Sequence, residues 1–383
     1  MGKMNKIKLV KSALLRKKVP KFPIFMTATP QFMSKCTNYI KIDRGPLKSW
    51  RYCVDKDLDV VQVGHPSFYP VNLDLPRDSQ YTDDWGRTHL ILDYYDDFTA
   101  PFPLQKTRKV NVSEIKKNWE NYVLPNPLDP KWFENVDQVV SNNDGIDDPL
   151  SVWGVINGPF EPTWQLMSDG WPAYFTLARK DPDLAKEIIM RIADYSIDAG
   201  VGLIERGVHA IRIGDDYAHN GGLLCRPEMW YEFIFPAHKR LIDGLKSAGG
   251  NDFPVILHSD GDITEIFRWL TQSGIDALNP IQPDALEVEA VTEQVGHRLS
   301  LTGAFDLRFF LQDLNDKVRQ KIDNEIDRLF SIINEHNKTH EENALTGFCI
   351  GPTHQVQPAS YVETFEYWID KVHDYNKKMS QKK

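Results

Sequence analysis

Seven nearly unbroken apolar runs, separated by helical patterns, limit the folds open to this chain more than any other feature. They read "LDVVQVG" (58–64), "SVWGVIN" (151–157), "VHAIRIGDD" (208–216), "PVILHSD" (254–260), "IDALNPI" (275–281), "RLSLTGAFD" (298–306) and "LTGFCIG" (345–351). Strands that show one face to water alternate apolar and polar residues. Runs without alternation suit a parallel sheet covered on both faces. Strand–helix alternation over this length implies parallel βαβ units. The expected fold is therefore α/β, a (β/α)8 TIM barrel, with an eighth strand hidden in the irregular N-terminal third. An open doubly wound sheet is the alternative. It loses support because no GxGxxG or GxxxxGK[ST] segment follows any run.

Helices are expected over 181–207, 226–250, 262–274, 316–336 and 361–375. Pro236 lies inside the second and should break or kink it. Asp262 with Glu265 three residues on has the spacing of a capping box at the start of the third. Residues 1–54 are expected to form a basic N-terminal extension and 55–383 the barrel, with 65–150 a long loop or subdomain over its mouth. A segment that long inside a barrel is a functional cover or a structural one.

The formal charge of −9 argues against nucleic acid as a partner. No Asp or Glu precedes Asp43, and "KIKLVKSALLRKKVPK" carries a basic cluster. A solvated helix or loose arm is the expected form of that stretch, with a membrane-surface helix as the alternative. No run is long and apolar enough for a membrane span, and no secretory signal is evident. Four widely spaced cysteines without a CxxC fit a reduced, cytoplasmic setting. Oligomeric state is open, a homodimer being one option.

Barrel active sites lie at the C-terminal strand ends. Glu161, Asp215, Asp216, His258, Asp260, Asn279, Gln282, Asp306 and His354 all fall there. Residues i and i+2 of a strand share a face, so His258 and Asp260 can hold one cation together, with His354 from another strand end as third ligand. A His-Asp-His set suits zinc or another first-row divalent ion. A lone His at a strand end is otherwise a hydrogen-bonded rim residue, Asp215–Asp216 a loop brace, and Asp262 or Asp306 a helix cap.

Several of these segments resemble the uroporphyrinogen decarboxylase superfamily, which includes corrinoid-dependent methyltransferases. "HSDGDITEIFRWLTQSGIDALNPIQP" (258–283) is similar to its His-x-Cys-Gly strand end followed by a helix and a Gly-hydrophobic-Asp-x-hydrophobic-Asn-x-x-Gln element, matched at Gly274, Asp276, Asn279 and Gln282. "DDWGRTH" (83–89), "GPFEPTW" (158–164), the Asp-Asp segment and Pro-Glu helix of 213–243, "LTGAFD" (301–306) and "GPTHQVQPASY" (351–361) resemble further elements. The resemblance implies a (β/α)8 barrel. No Arg-Gln-Ala-Gly-Arg segment stands near the N-terminus, and "VGHPSF" (63–68) lacks the acid that porphyrin decarboxylases place after the first strand.

The methyltransferases resembled here hold zinc with a His-x-Cys pair and a distant Cys. Those positions fall on His258, Asp260 and His354, so both sulfurs are replaced by harder donors. Cys349 is a weaker alternative ligand. The resemblance implies a metal-dependent methyltransferase that passes a methyl group from a small methylated substrate to a corrinoid carried by a partner protein. Glu161, Asp215 or Asp216 are then the acid or anchor, with Trp85, Phe160, Trp164, Tyr217, Asn279, Gln282 and Asp306 around the substrate. A decarboxylase or other lyase acting on a non-porphyrin acid, and a non-catalytic binding protein, are the alternatives.

Overall fold

All seven expected runs form strands of one parallel sheet: β1 (Val60–Gly64), β2 (Ser151–Asn157), β3 (Ala210–Gly214), β4 (Val255–His258), β5 (Ala277–Asn279), β6 (Ser300–Phe305) and β7 (Phe348–Pro352). The computed structural model describes residues 4–36, 45–65, 78–91, 96–99, 103–105, 109–340 and 346–381. Strand order follows chain order, and every neighbouring pair is parallel. β2, β3, β4, β6 and β7 are buried along their whole length, which is why their sequences lack alternation.

The gap between β7 and β1 is filled from the N-terminus. Ile350 N donates to Pro23 O at 2.9 Å and Phe25 N to Ile350 O at 3.0 Å. On the other side Asp59 N donates to Ile24 O at 2.9 Å, and the buried Asp59 carboxylate takes Ile24 N at 2.9 Å and Lys21 Nζ at 2.9 Å. The segment "FPIFM" (22–26) is thus the eighth stave, preceding β1 in sequence. Pro23 contributes no amide, so the stave makes few ladder bonds.

The basic N-terminal stretch is not a loose arm. Helix α1 (Lys6–Leu14) buries Leu9, Val10, Ala13 and Leu14, one helical stripe, while Lys8 faces outward and the buried Lys6 pairs with Asp57 at 2.7 Å. Asn5 caps its start by accepting Lys8 N at 2.9 Å. Ser300 Oγ, at the beginning of β6, donates to Ala13 O and Leu14 O, both at 2.8 Å, and so satisfies the last turn. The helix therefore closes the N-terminal end of the barrel, opposite the strand ends that carry chemistry.

Helix Pro182–Glu205 covers β2 and β3, with Asp181 accepting Leu184 N at its start. Pro236 neither breaks nor sharply ends its helix. A π-helical turn over Trp230–Ile234 leads directly into Phe235–Gly249 and accommodates the missing amide. Asp262 accepts Thr264 N at 3.0 Å and no capping box forms with Glu265, because that helix opens with a 3-10 turn at Thr264–Ile266. Residues 66–77, 92–95, 100–102 and 106–108 of the insertion after β1 lie outside the described residues. Its described parts include an antiparallel sheet of Gln80–Thr82, Thr88–Ile91 and Asp96–Thr99, and helices Val112–Asn121 and Glu134–Asp144.

Candidate active site

His258 is the last residue of β4, and strand register sets Gly214 on one side of it and Asn279 on the other. Two residues on, Asp260 leaves the strand. His354 arrives from the loop after β7. One donor atom from each of the three lies within 4.8 Å of the others. His258 Nε2 is 3.9 Å from Asp260 Oδ1, His354 Nε2 is 3.8 Å from Asp260 Oδ2, and the two ring centroids are 5.8 Å apart. Ligands about a tetrahedral zinc at ~2.1 Å stand roughly 3.4 Å apart. The two pairs with Asp260 come to that geometry by a contraction of about half an ångström, and no pair needs more than about 1.4 Å.

Burial, with the nearby Arg212 charge, holds the His258 imidazole well below its ordinary range and lowers that of the part-exposed His354. Neutral imidazoles keep a lone pair for a metal. Burial raises the Asp260 carboxyl to about 6, with Arg212 opposing the shift. The donor set thus fits a divalent ion: two neutral nitrogens, and a carboxylate that is ionised at neutral pH.

His258 Nδ1 lies 2.7 Å from Asn279 Oδ1 and 2.6 Å from Arg212 NH2. These contacts make opposite demands. Asn279 needs an N–H at Nδ1, and Arg212 needs a lone pair there. A metal held at Nε2 would favour the first arrangement. Arg212 also donates through Nε to Asn279 Oδ1 at 3.2 Å and through NH1 to Gln62 Oε1 at 3.2 Å. Sequence reasoning passed over Arg212 and Gln62. The signal was present: an arginine in the middle of a buried strand, "VHAIRIG".

A carboxylate wall stands beside the three donors. Asp216 Oδ1 accepts Asp260 N at 2.9 Å, and burial with the Asp260 charge lifts the Asp216 carboxyl to about 6. Asp215 is fully buried and accepts Phe160 N at 3.1 Å and Glu161 N at 2.7 Å, bracing the first turn of helix Phe160–Gln165. Its carboxyl is raised by burial to about 7, against the pull of those amides. Gly158 makes this possible, since a Cβ there would lie 2.3 Å from the Asp215 carboxyl carbon. Glu161 is pushed far above the ordinary carboxylate range by burial, then by Asp216 and Asp215.

The "DDWGRTH" segment reaches this wall through one more residue that sequence reasoning missed. Asp83 binds Arg87 Nε at 2.6 Å and His89 Nε2 at 2.8 Å. Arg87 NH1 donates to Gln165 Oε1 at 2.5 Å, and Gln165 Nε2 donates to Glu161 Oε1 at 3.1 Å. Gln165 sits one helical turn after Glu161 and aims it.

Other expected site residues take different positions. Gln282 Oε1 accepts Gly261 N at 2.8 Å and steadies the loop bearing Asp260. Gly261 has φ +85°, and a Cβ there would meet the His219 backbone at 2.7 Å. Trp85, Phe160 and Tyr217 are buried packing residues, set against Tyr195, Tyr174 and Trp230 respectively. Trp164 is half-buried beside the core. Asp306 accepts Arg308 N at 2.9 Å and pairs with its guanidinium at 2.6 Å, as a cap does. Cys349 is fully buried, and burial raises its thiol well above the ordinary range. It is not among the converging donors.

Residues 116–375 match the uroporphyrinogen decarboxylase (URO-D) family. The chain belongs to that family. It is 26% identical over 195 residues to a methylated-thiol–coenzyme M methyltransferase from Methanosarcina mazei, an alignment covering 50% of this chain and 49% of that protein. The chain thus matches about half the length of this relative. A solved structure of a methyltransferase from Methanosarcina mazei superposes with a TM-score of 0.70 at 15% identity, covering 97% of this chain and 99% of that one. That superposition extends the barrel likeness to nearly the whole chain. Among the described residues no helix is long and apolar enough to cross a membrane.

Proposed function

We propose that this chain is a metal-dependent methyltransferase that moves a methyl group from a small methylated substrate to a corrinoid carried by a partner protein. The observation that carries the reading is the convergence of His258, Asp260 and His354 at the C-terminal end of the barrel. Membership of the URO-D family and the similarity to a methyltransferase support it.

A divalent ion held by these three residues would draw electron density from the heteroatom that bears the methyl group. Asn279 keeps His258 oriented with its Nε2 lone pair free. Glu161 and Asp216 hold protons at higher pH than ordinary carboxyls, and one of them protonates the departing heteroatom. The carbon–heteroatom bond would break with both electrons left on the heteroatom, and a reduced corrinoid on the partner would supply the acceptor for the methyl group. The His354 side chain is 43% exposed, so the site is open to an acceptor borne by another protein. Four unpaired cysteines accord with a reduced cytoplasmic setting.

Elemental analysis of the purified protein, with His258→Ala and His354→Ala, tests the metal. Zinc or another divalent ion should be present in the wild type and lost from both variants. Unchanged metal in both removes the metal reading. Methyl transfer to free reduced corrinoid tests the reaction. A second reading, decarboxylation of a small acid, is favoured by the same raised carboxyls, which suit proton delivery to a carbanion. Release of CO₂ without methyl transfer would select it.

A further inference from the structure

The loop that carries Asp260 is laced to the segment that follows β3. Asp215 N donates to His258 O at 3.1 Å, and Tyr217 N donates to Ser259 Oγ at 3.0 Å. In the other direction Asp260 N donates to the Asp216 carboxylate at 2.9 Å, and Asp262 N to His219 O at 3.0 Å. Each segment thus donates twice and accepts twice, so neither shifts without opening bonds to the other. The segment after β3 ends in a hairpin, with Ala218–His219 paired antiparallel to Gly222–Leu223. A hairpin this short has little stability of its own.

Gln282, from the loop after β5, closes the clasp. The Gly261 amide can only donate, so Gln282 Oε1 faces it at 2.8 Å, and Nε2 is left to donate to Asn220 Oδ1 at 2.9 Å. One side-chain amide therefore joins the residue after Asp260 to the tip of the hairpin. Asn220 is exposed, so what it adds here is that bond and not burial. Gly261 lets the two backbones touch, since a Cβ there would meet both Ala218 and His219 main-chain atoms at 2.7 Å.

We propose that Gln282 and the 218–223 hairpin are positioning elements of the metal centre: the hairpin sets the aim of Asp260, and an ion held by His258, Asp260 and His354 in turn orders the hairpin. Asp260 is the donor that has to move. Its oxygens stand 3.9 Å and 3.8 Å from the two imidazole nitrogens, about half an ångström beyond ligand spacing. His258 is held in β4, whereas Asp260 lies beyond the strand end, on the laced loop. Closing the gap therefore draws on Asp216, Gly261 and Gln282 together. Coupling of this kind is reciprocal: whatever hairpin order adds to ion affinity, the ion adds to hairpin order. The inference rests on the metal reading above and not on the reaction assigned to the site.

Hydrogen exchange of the full-length protein, read by mass spectrometry with zinc and after chelation, tests the coupling together with zinc affinity from chelator competition. Zinc should slow exchange of the hairpin amides by about tenfold and leave helix α1, at the far end of the barrel, unchanged. Asn220→Ala should weaken zinc binding by about two- to fivefold, and Gln282→Leu, which loses both bonds, by about tenfold or more. Asn220 acts through Gln282, so the double variant should bind zinc no more weakly than Gln282→Leu alone. Two residues that merely stabilise the fold separately would add their losses. Zinc that binds with hairpin exchange unchanged overturns the proposal and leaves the three donors standing. Additive losses overturn it too, as does an Asn220→Ala protein that binds zinc like the wild type. If Gln282→Leu does not fold, wild-type exchange and the exposed Asn220→Ala decide the matter. Protein that takes up no divalent ion removes the metal reading and this coupling with it. Failed methyl transfer with the coupling intact removes only the reaction and leaves the clasp supported.

Discussion

Asn279 Oδ1 lies 2.7 Å from His258 Nδ1 because β4 and β5 pair with these two residues as direct lateral neighbours. The asparagine thereby decides which nitrogen of the imidazole carries the proton. Asn279→Ala should leave Nδ1 to Arg212 alone, which favours a proton on Nε2, the metal-facing atom. Metal affinity should fall by about ten- to a hundredfold with the fold intact, measured by competition with a chromophoric chelator. Affinity unchanged by the substitution would mean that the ion is not held through His258 Nε2.

Metal loading should depend on pH through Asp260. Its folded carboxyl is raised to about 6, while both histidines are held neutral below their usual range. Protons therefore compete with the ion chiefly at the carboxylate. Affinity should be nearly flat above about pH 7 and fall by about tenfold per unit below pH 6. Zinc titrations from pH 5 to 8 read this directly. A steep dependence centred near 4 would place Asp260 outside the metal set.

The barrel was legible because buried parallel strands write continuous apolar runs, and all seven of them formed strands. The eighth stave was expected in the N-terminal third, but its residues were not legible: "FPIFM" is short and carries a proline, so it does not read as a continuous apolar run. The His-x-Asp spacing and a later histidine were enough to bring three donors together. What they touch was hidden, because Arg212, Gln62 and Gln165 act through side chains that cross from one element to another. No local period marks such contacts. The aromatics near strand ends illustrate the reverse. Trp85, Phe160 and Tyr217 stand beside motif residues in sequence, yet their bulk fills the core behind the site.

Glu161 should report on the chain of contacts that begins at Asp83. Gln165 Nε2 donates to the Glu161 carboxylate, which favours its ionised form. Gln165→Leu removes that donor, so the Glu161 carboxyl should rise further. An acid that must be protonated then stays active to higher pH, and the alkaline limb of the pH–rate profile moves upward. Arg87 NH1 also loses its acceptor, and stability should drop by about 1–3 kcal/mol. An unshifted profile in a folded variant would exclude Glu161 as the proton source.

Helix α1 should behave as part of the barrel core and not as a tail. Leu14 and Val10 are 1% and 0% exposed, and the helix end is tied to β6 through Ser300. Leu14→Ala should cost about 2–5 kcal/mol in urea unfolding, the range for a buried leucine whose surroundings cannot collapse into the space. Lys8→Ala, on the outward face, should change stability by less than about 0.5 kcal/mol. The contrast separates a packed floor from a basic arm that only touches the surface. In the second case both substitutions would be equally mild, and removing residues 1–14 would leave the unfolding midpoint where it was.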